Sequence, residues 1–157
     1  MRIGTGYDVH RLVSGRALII GGIEIDYHLG LEGHSDGDPL THSIIDALLG
    51  AAALGDIGMH FPPGDPRFKG SNSLVLLGHV YELLSERGYR IVNIDSTIIC
   101  ESPKMSPFFD RMRATLAACL HVDVDALSVK ATTTEKLGYI GRGEAIAAEA
   151  VALIVRN

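Results

Sequence analysis

Tryptophan is absent from these 157 residues, and aromatic side chains make up only 6 % of them. A core must therefore come from aliphatic residues, which dominate an apolar fraction of 46 % against 21 % charged. That balance describes an ordered globular chain. Only two cysteines occur, Cys100 and Cys119, too far apart to form a CxxC pair. This argues against a disulfide-stapled scaffold or a zinc knuckle and for two buried thiols, as a reducing cytoplasm allows. No apolar run reaches the roughly 18 residues of a membrane span. Basic runs are missing too, and the formal net charge is −5, which argues against general nucleic-acid binding. The first residues lack the apolar core of a signal peptide, so the expected location is cytoplasmic. Without repeats or linkers, residues 1–157 are expected to form one domain.

What the chain does have is organised around His34-Ser-Asp-Gly-Asp38 and the Ala/Leu-rich run that follows. Asp38 suits a helix N-cap and Pro39 the first helical position, with Gly50 and Gly55 near the end. Residues four apart share a face, so Asp38, His42 and Asp46 would form one polar stripe among residues that favour burial. Such a stripe is either a solvated helix face or a set of groups with partners, and a metal is one such partner.

Before this helix, residues 2–11 alternate as a strand, and Leu18–Ile20, Gly21-Gly22 and Ile23–Ile25 read as a hairpin. After it, Phe61–Pro66 is excluded from regular structure by three prolines and a glycine. A helix is expected from Ser71-Asn72-Ser73 to Arg87, with Leu74, Leu77, Tyr81 and Leu84 inward. A strand over 89–100 would carry Val92, Ile94, Ile98 and Cys100 on one face. A second proline loop follows, and then a helix capped by Ser106 and Pro107. Residues 127–132 read as a strand and 138–143 as a flexible connection. The last segment, 144–155, is apolar on both faces apart from Glu149, and a strand of that kind is buried on both faces. The expectation is an α+β sandwich: one mixed sheet of about four main strands, helices on one face, and another copy of the chain on the other.

Two constellations could carry chemistry. Asp8-Val9-His10 places a carboxylate and an imidazole two apart on one strand face, and a helix histidine could complete an open divalent-metal site. Two imidazoles and one carboxylate favour zinc. The other histidines, His28, His60, His79 and His121, read as ordinary surface residues. The second constellation is Lys130-Ala-Thr-Thr-Thr-Glu135-Lys-Leu-Gly138, whose hydroxyls and lysines suit phosphate oxygens while Glu135 suits magnesium. A Thr-rich strand end with a solvated Glu-Lys pair would look the same.

Taken together, Asp8-Val-His10, His34-Ser-Asp-Gly-Asp38, His42…Asp46-Ala-Leu-Leu-Gly…Gly58, Pro103-Lys-Met105, Lys130–Gly138 and Gly141-Arg-Gly-Glu144 resemble one family across the whole chain. It is the 2-C-methyl-D-erythritol 2,4-cyclodiphosphate synthase family of non-mevalonate isoprenoid synthesis. The resemblance implies zinc on Asp8, His10 and His42, and magnesium or manganese on Glu135. It implies that His34 and Ser35 face the substrate phosphates and that Thr132, Thr133 and Thr134 contact the diphosphate, with His34 and Thr133 catalytic. Val9, Asp56, Ile57 and Gly58, with Phe61, Pro62, Pro63, Gly64 and Asp65, would line the methylerythritol site. Cys100, Glu101, Ser102, Pro103, Lys104, Met105 and Ser106 would enclose the cytidine. Tyr139 and Arg142 would lie near the substrate or, with Tyr7 and Glu144, near a trimer axis. Asp46 would accept a hydrogen bond from a zinc-bound histidine. The family's homotrimers have active sites between subunits, and in some relatives an axial cavity holds isoprenoid diphosphates. The competing readings are a metal-dependent phosphohydrolase and a non-catalytic isoprenoid-diphosphate-binding trimer.

Overall fold

The computed structural model describes residues 1–156. Seven strands and five helices are formed: β1 (Arg2–Val13), β2 (Leu18–Ile20), β3 (Ile23–Ile25), β4 (Gly30–Leu31), α1 (Pro39–Ala51), α2 (Ile57–His60), α3 (Ser73–Glu86), β5 (Tyr89–Ile99), α4 (Phe109–Cys119), β6 (Leu127–Thr132), α5 (Gly138–Gly141) and β7 (Ala145–Arg156). The main sheet runs β4-β1-β7-β5-β6, and β2-β3 is a separate hairpin. β7 lies antiparallel to both β1 and β5, whereas β5 and β6 are parallel. This is the expected mixed sheet with helices on one face, extended by the two-residue β4.

Helix α1 is central: Leu40, Ile44, Ile45, Leu48 and Leu49 are fully buried, as are nearly all its other residues. A helix apolar all round belongs inside a fold, and each such side chain contributes about 1.5–3 kcal/mol on burial. Its seat on β1 depends on two glycines. A Cβ at Gly6 would lie 2.0 Å from the Ser43 carbonyl oxygen, and one at Gly4 would lie 2.1 Å from that of Ala47. Helix and strand therefore meet backbone to backbone, which draws His42 onto Asp8 and His10.

The N-terminus of α1 is anchored by Asp38, whose carboxylate is buried. It accepts from Thr41 N and Thr41 Oγ1, and also from Gly21 N and Gly22 N of the β2–β3 turn, at 2.7–3.0 Å. Both glycines have positive φ, as this two-residue turn requires. Burial pushes the carboxyl pKa up, and these donors pull against it. One residue caps the helix and ties it to the hairpin.

Several sequence expectations are corrected. Val92 does not share a face with Ile94 and Ile98: a bulge between Ile91 and Asn93 leaves it as the extra residue, exposed, while Ile94, Ser96 and Ile98 point inward. Ser106 and Pro107 do not cap α4 but form a 3-10 turn before it, with no side-chain cap bond. The cap of α3 is Asn72, which accepts from Leu74 N, and its inner face centres on Leu76, Leu77, Val80 and Leu84. Residues 138–141, expected as a flexible connection, form the short helix α5.

The two faces of β7 part company within one chain. Ile146, Ala148, Ala150, Ala152 and Ile154 are buried beneath the helices, whereas Glu149 and Val151 on the other face are exposed. Ile3, Tyr7 and Val9 of β1 lie exposed on that outer face as well.

Candidate active site

The even-numbered residues of β1 face α1, so Asp8 and His10 meet His42 at one end of the sheet. Asp8 Oδ2 lies 2.7 Å from His10 Nε2 and 2.9 Å from His42 Nδ1, and the two nitrogens are 3.2 Å apart. Among the described residues, these are the one group of His, Cys, Asp and Glu donors close enough to hold a metal ion. A tetrahedral ion with bonds of about 2.0–2.1 Å separates its ligand atoms by about 3.3 Å, close to the 3.2 Å between the two nitrogens, while the contacts to Asp8 are shorter hydrogen-bond distances.

The outer nitrogens make the fit more specific. His10 Nδ1 lies 2.6 Å from the Glu32 carbonyl, which can only accept, so Nδ1 donates there, and Nε2, paired with Asp8, is the nitrogen that would give its lone pair to an ion on losing its proton. His42 Nε2 lies 2.8 Å from Ser73 Oγ and 3.1 Å from Ser35 Oγ, leaving Nδ1 to face Asp8. Both imidazoles thus have the outer hydrogen bond typical of metal-binding histidines. Burial alone would raise the Asp8 carboxyl, but hydrogen bonds from both histidines outweigh it and hold the pKa at about 2. His10 is raised, because pairing with Asp8 overcomes its own burial.

Beside this cluster lies a cleft of about 200 Å³ lined by Asp8, His10, His34, Ser35, His42, Ile57, Gly58, Phe61 and Pro63. The sequence expectation missed its other two walls, Phe68 and Leu76. Arg16 braces the loop that presents His34 and Ser35, donating to the Gly33 and Ser35 carbonyls at 3.1 and 2.8 Å. Val9, Asp56, Pro62, Gly64 and Asp65 do not line the cleft. Val9 faces the outer side of the sheet. Asp56 caps α2, accepting from Met59 N at 3.0 Å. Asp65 grips Arg67, while its carbonyl lies 3.4 Å from His34 Nε2. Asp46 does not reach a histidine: it accepts from Ile57 N at 2.7 Å and so fixes the turn into α2.

A second cleft, of about 590 Å³, opens where β5 and β6 end. Cys100, Glu101, Ser102, Pro103, Lys104, Met105 and Ser106 line it from one loop, and Thr132, Thr133 and Glu135 from the other, with Phe109 and Ala131 as unforeseen walls. Glu135 and Lys136 both have positive φ, a conformation non-glycine residues rarely adopt. Glu101 holds this turn: its Oε1 accepts from Thr134 N and Lys136 N, each at 3.1 Å, and from Thr134 Oγ1 at 3.3 Å. Thr134 is therefore spent on the turn and does not line the cleft. Burial pushes the Cys100 thiol up to about 11, so it lines the floor as an inert, neutral group. Cys119 is also free.

Tyr139 and Arg142 belong to neither cleft. Tyr139 pairs with Tyr7 through their hydroxyls at 3.0 Å, and Arg142 pairs with Glu144 at 2.6 Å. The two clefts share no lining residue. No helix among the described residues is long and apolar enough to cross a membrane.

Comparison with known proteins identifies the family. The YgbB family profile matches residues 1–155. The 2-C-methyl-D-erythritol 2,4-cyclodiphosphate synthase of Chloroherpeton thalassium is 62 % identical over 154 residues, 98 % of each chain. That of Geobacter metallireducens is 58 % identical over 157 residues, the full length of both. Among solved structures, the bifunctional IspDF from Campylobacter jejuni superposes with a TM-score of 0.96 at 43 % identity. The match covers 99 % of this chain but only 42 % of that one. IspF from Plasmodium falciparum, in complex with CDP, gives a TM-score of 0.88 at 35 % identity, covering 99 % of this chain and 96 % of that one.

Proposed function

Because the chain belongs to the YgbB family, whose close full-length relatives are 2-C-methyl-D-erythritol 2,4-cyclodiphosphate synthases, we propose that its two clefts divide one intramolecular phosphoryl transfer between them. The chain converts 4-diphosphocytidyl-2-C-methyl-D-erythritol 2-phosphate to the 2,4-cyclodiphosphate and CMP. An oxygen of the 2-phosphate forms a bond to the β-phosphorus, and the bond from that phosphorus to the bridging oxygen breaks. The bridging oxygen leaves with CMP. A phosphate monoester has a second pKa of about 6, so the nucleophile is already ionised at neutral pH and no side chain need act as its base. The barrier is the approach of one anion to another, and residues that position and neutralise them lower it.

His34 and Ser35 would face these phosphates, on a loop fixed by Arg16. Thr132 and Thr133 would donate to the diphosphate, and Lys104 would add a positive charge. Ile57 and Gly58 would hold the methylerythritol carbon chain, in a turn set by Asp46. The loop Cys100–Ser106 would enclose the cytidine, a reading supported by the CDP complex of the Plasmodium falciparum relative. Asp8, His10 and His42 would hold zinc. Glu135, a carboxylate beside threonine hydroxyls, would hold magnesium or manganese, which commonly bind through one carboxylate and substrate phosphates. When bound, these ions supply the charge that lets the two phosphates meet.

We read the assembly as a homotrimer in which the metal cleft of one subunit meets the cytidine cleft of its neighbour. The exposed apolar residues Ile3, Tyr7, Val9 and Val151 on the outer sheet face support this, as does the lack of any lining residue common to both clefts. The chain would act as one domain in the cytoplasm, where its two cysteines stay reduced. An isoprenoid diphosphate would bind in the axial cavity of that trimer, near Arg142.

The Asp8–His10–His42 cluster beside a phosphate-sized cleft carries the reading. Incubation with the cytidine-linked substrate, zinc and magnesium should release CMP and the cyclic diphosphate in equal amounts. A ring-opened phosphate in place of the cyclic product would overturn it in favour of a phosphohydrolase.

A further inference from the structure

Ser73 touches His42, and Asp36 touches Ser73, yet the reaction itself uses neither side chain. Ser73 is fully buried at the start of α3, yet it does not cap that helix, because Asn72 does. Its hydroxyl lies 2.8 Å from His42 Nε2 and also bonds Asp36 Oδ1. Asp36 Oδ2 accepts from Ser73 N at 2.9 Å, so both carboxylate oxygens grip the same residue. A carboxylate has no proton to give at neutral pH, so the Ser73 hydroxyl must point its hydrogen at Asp36. Its lone pairs then face His42, and Nε2 must be the donor. Nδ1, which faces Asp8, is then the nitrogen that would give its lone pair to a metal.

We propose that Asp36 and Ser73 form a two-link relay that fixes the metal-binding tautomer and ring orientation of His42. They are positioning residues and touch neither substrate nor metal. The inference rests on the reading of Asp8, His10 and His42 as a metal site. Ser35 Oγ also reaches Nε2, at 3.1 Å, but no carboxylate orients it. Its contribution is the smaller of the two. The relay joins the His34–Asp36 loop to the start of α3, and backbone bonds tie the same loop to the residues just before that helix: Asp36 N donates to the Ser71 carbonyl and Gly70 N to that of His34. Metal holding and phosphate placement thus share one anchor.

The test is metal affinity of the full-length protein, stripped by a chelator and titrated with Co²⁺ against a competing indicator, without substrate. His42→Ala serves as the control for the underlying site: if wild type binds Co²⁺ no better than this variant, the metal site itself is wrong. With that site established, Ser73→Ala and Asp36→Ala should each weaken binding by about 10–100-fold, the usual cost of losing a ligand's outer partner. The double variant should be no weaker than the weaker single variant, since both break one relay. The visible spectrum of bound Co²⁺ should broaden in all three. Thermal melts of the stripped proteins separate lost folding from lost positioning. Affinities within twofold of wild type for folded Ser73→Ala, or losses that add in the double variant, would overturn the relay. If Asp36→Ala does not fold, Ser73→Ala alone decides the matter.

Discussion

The two clefts are built on opposite principles. The metal cleft takes its key groups from regular elements: Asp8 and His10 from a strand, His42 from the most buried helix in the chain. That helix is held by Asp38 at one end and seated on Gly4 and Gly6 along its length. The larger cleft, proposed for the cytidine, takes its groups from a proline-broken loop and a turn with two left-handed residues, braced by the single carboxylate of Glu101. Metal ligands must be fixed to within a few tenths of an ångström, whereas a nucleotide can be followed by loop backbone and hydroxyls. On the proposed reading, rigid elements would serve the ion and loops the ligand.

If the clefts meet only across subunits, the division can be tested directly. His42→Ala should lose metal and reduce turnover by at least about 100-fold, and Thr133→Ala should reduce turnover by about 10–100-fold while leaving metal content intact. Co-expressed, the two impaired chains should regain roughly a quarter of wild-type activity, since a ring of like subunits pairs an intact metal side with an intact cytidine side in about one interface of four. Mixed assemblies no more active than either variant would place both halves of the site in one chain. A smaller effect is expected from Glu135→Gln. It should raise the magnesium needed for half-maximal rate by about tenfold and leave the ion on Asp8, His10 and His42 in place. An unchanged magnesium dependence would remove Glu135 from that role.

The metal cleft was the more legible of the two in sequence. Asp-x-His on a strand and a histidine inside an apolar helix are spacings that geometry converts into proximity. The apolar pattern of β7 likewise told of burial beneath the helices, while its outer face carries the exposed Glu149 and Val151. What escaped were contacts without a spacing. Ser73 sits in Ser71-Asn72-Ser73, where any of the three could cap α3. Only the choice of Asn72 frees Ser73 to turn inward to His42. Asp46, which the resemblance pairs with a zinc-bound histidine, instead turns its carboxylate to the backbone eleven residues on. Arg16 reaches Gly33 and Ser35 across the hairpin, a pairing set by tertiary folding alone. Val92 broke the alternation of β5 because one bulge resets the phase of a strand and leaves no mark in residue type.

The smallest expected effect follows from the charges in the metal cleft, where stability and metal binding should respond to pH in opposite directions. Asp8 is held at about 2, below its ordinary 3.8, so its contribution to stability is full above 3.8 and is lost as pH falls through about 2. His10 is raised above its ordinary 6.5, so its contribution is full below 6.5 and is lost as pH rises through the raised value. The metal-free protein should therefore gain most from this pair between these two ordinary values, and its melting temperature should fall by about 2–4 °C as His10 loses its proton. Metal affinity should do the reverse, rising by up to about tenfold per pH unit across that titration, because the ion competes with the proton for Nε2. Melts of the stripped protein and Co²⁺ titrations over the same pH series test both slopes. The cytidine cleft, where no histidine lines the wall, should show no matching change in CDP affinity. Parallel slopes for stability and metal affinity would mean that a group other than His10 controls the cluster.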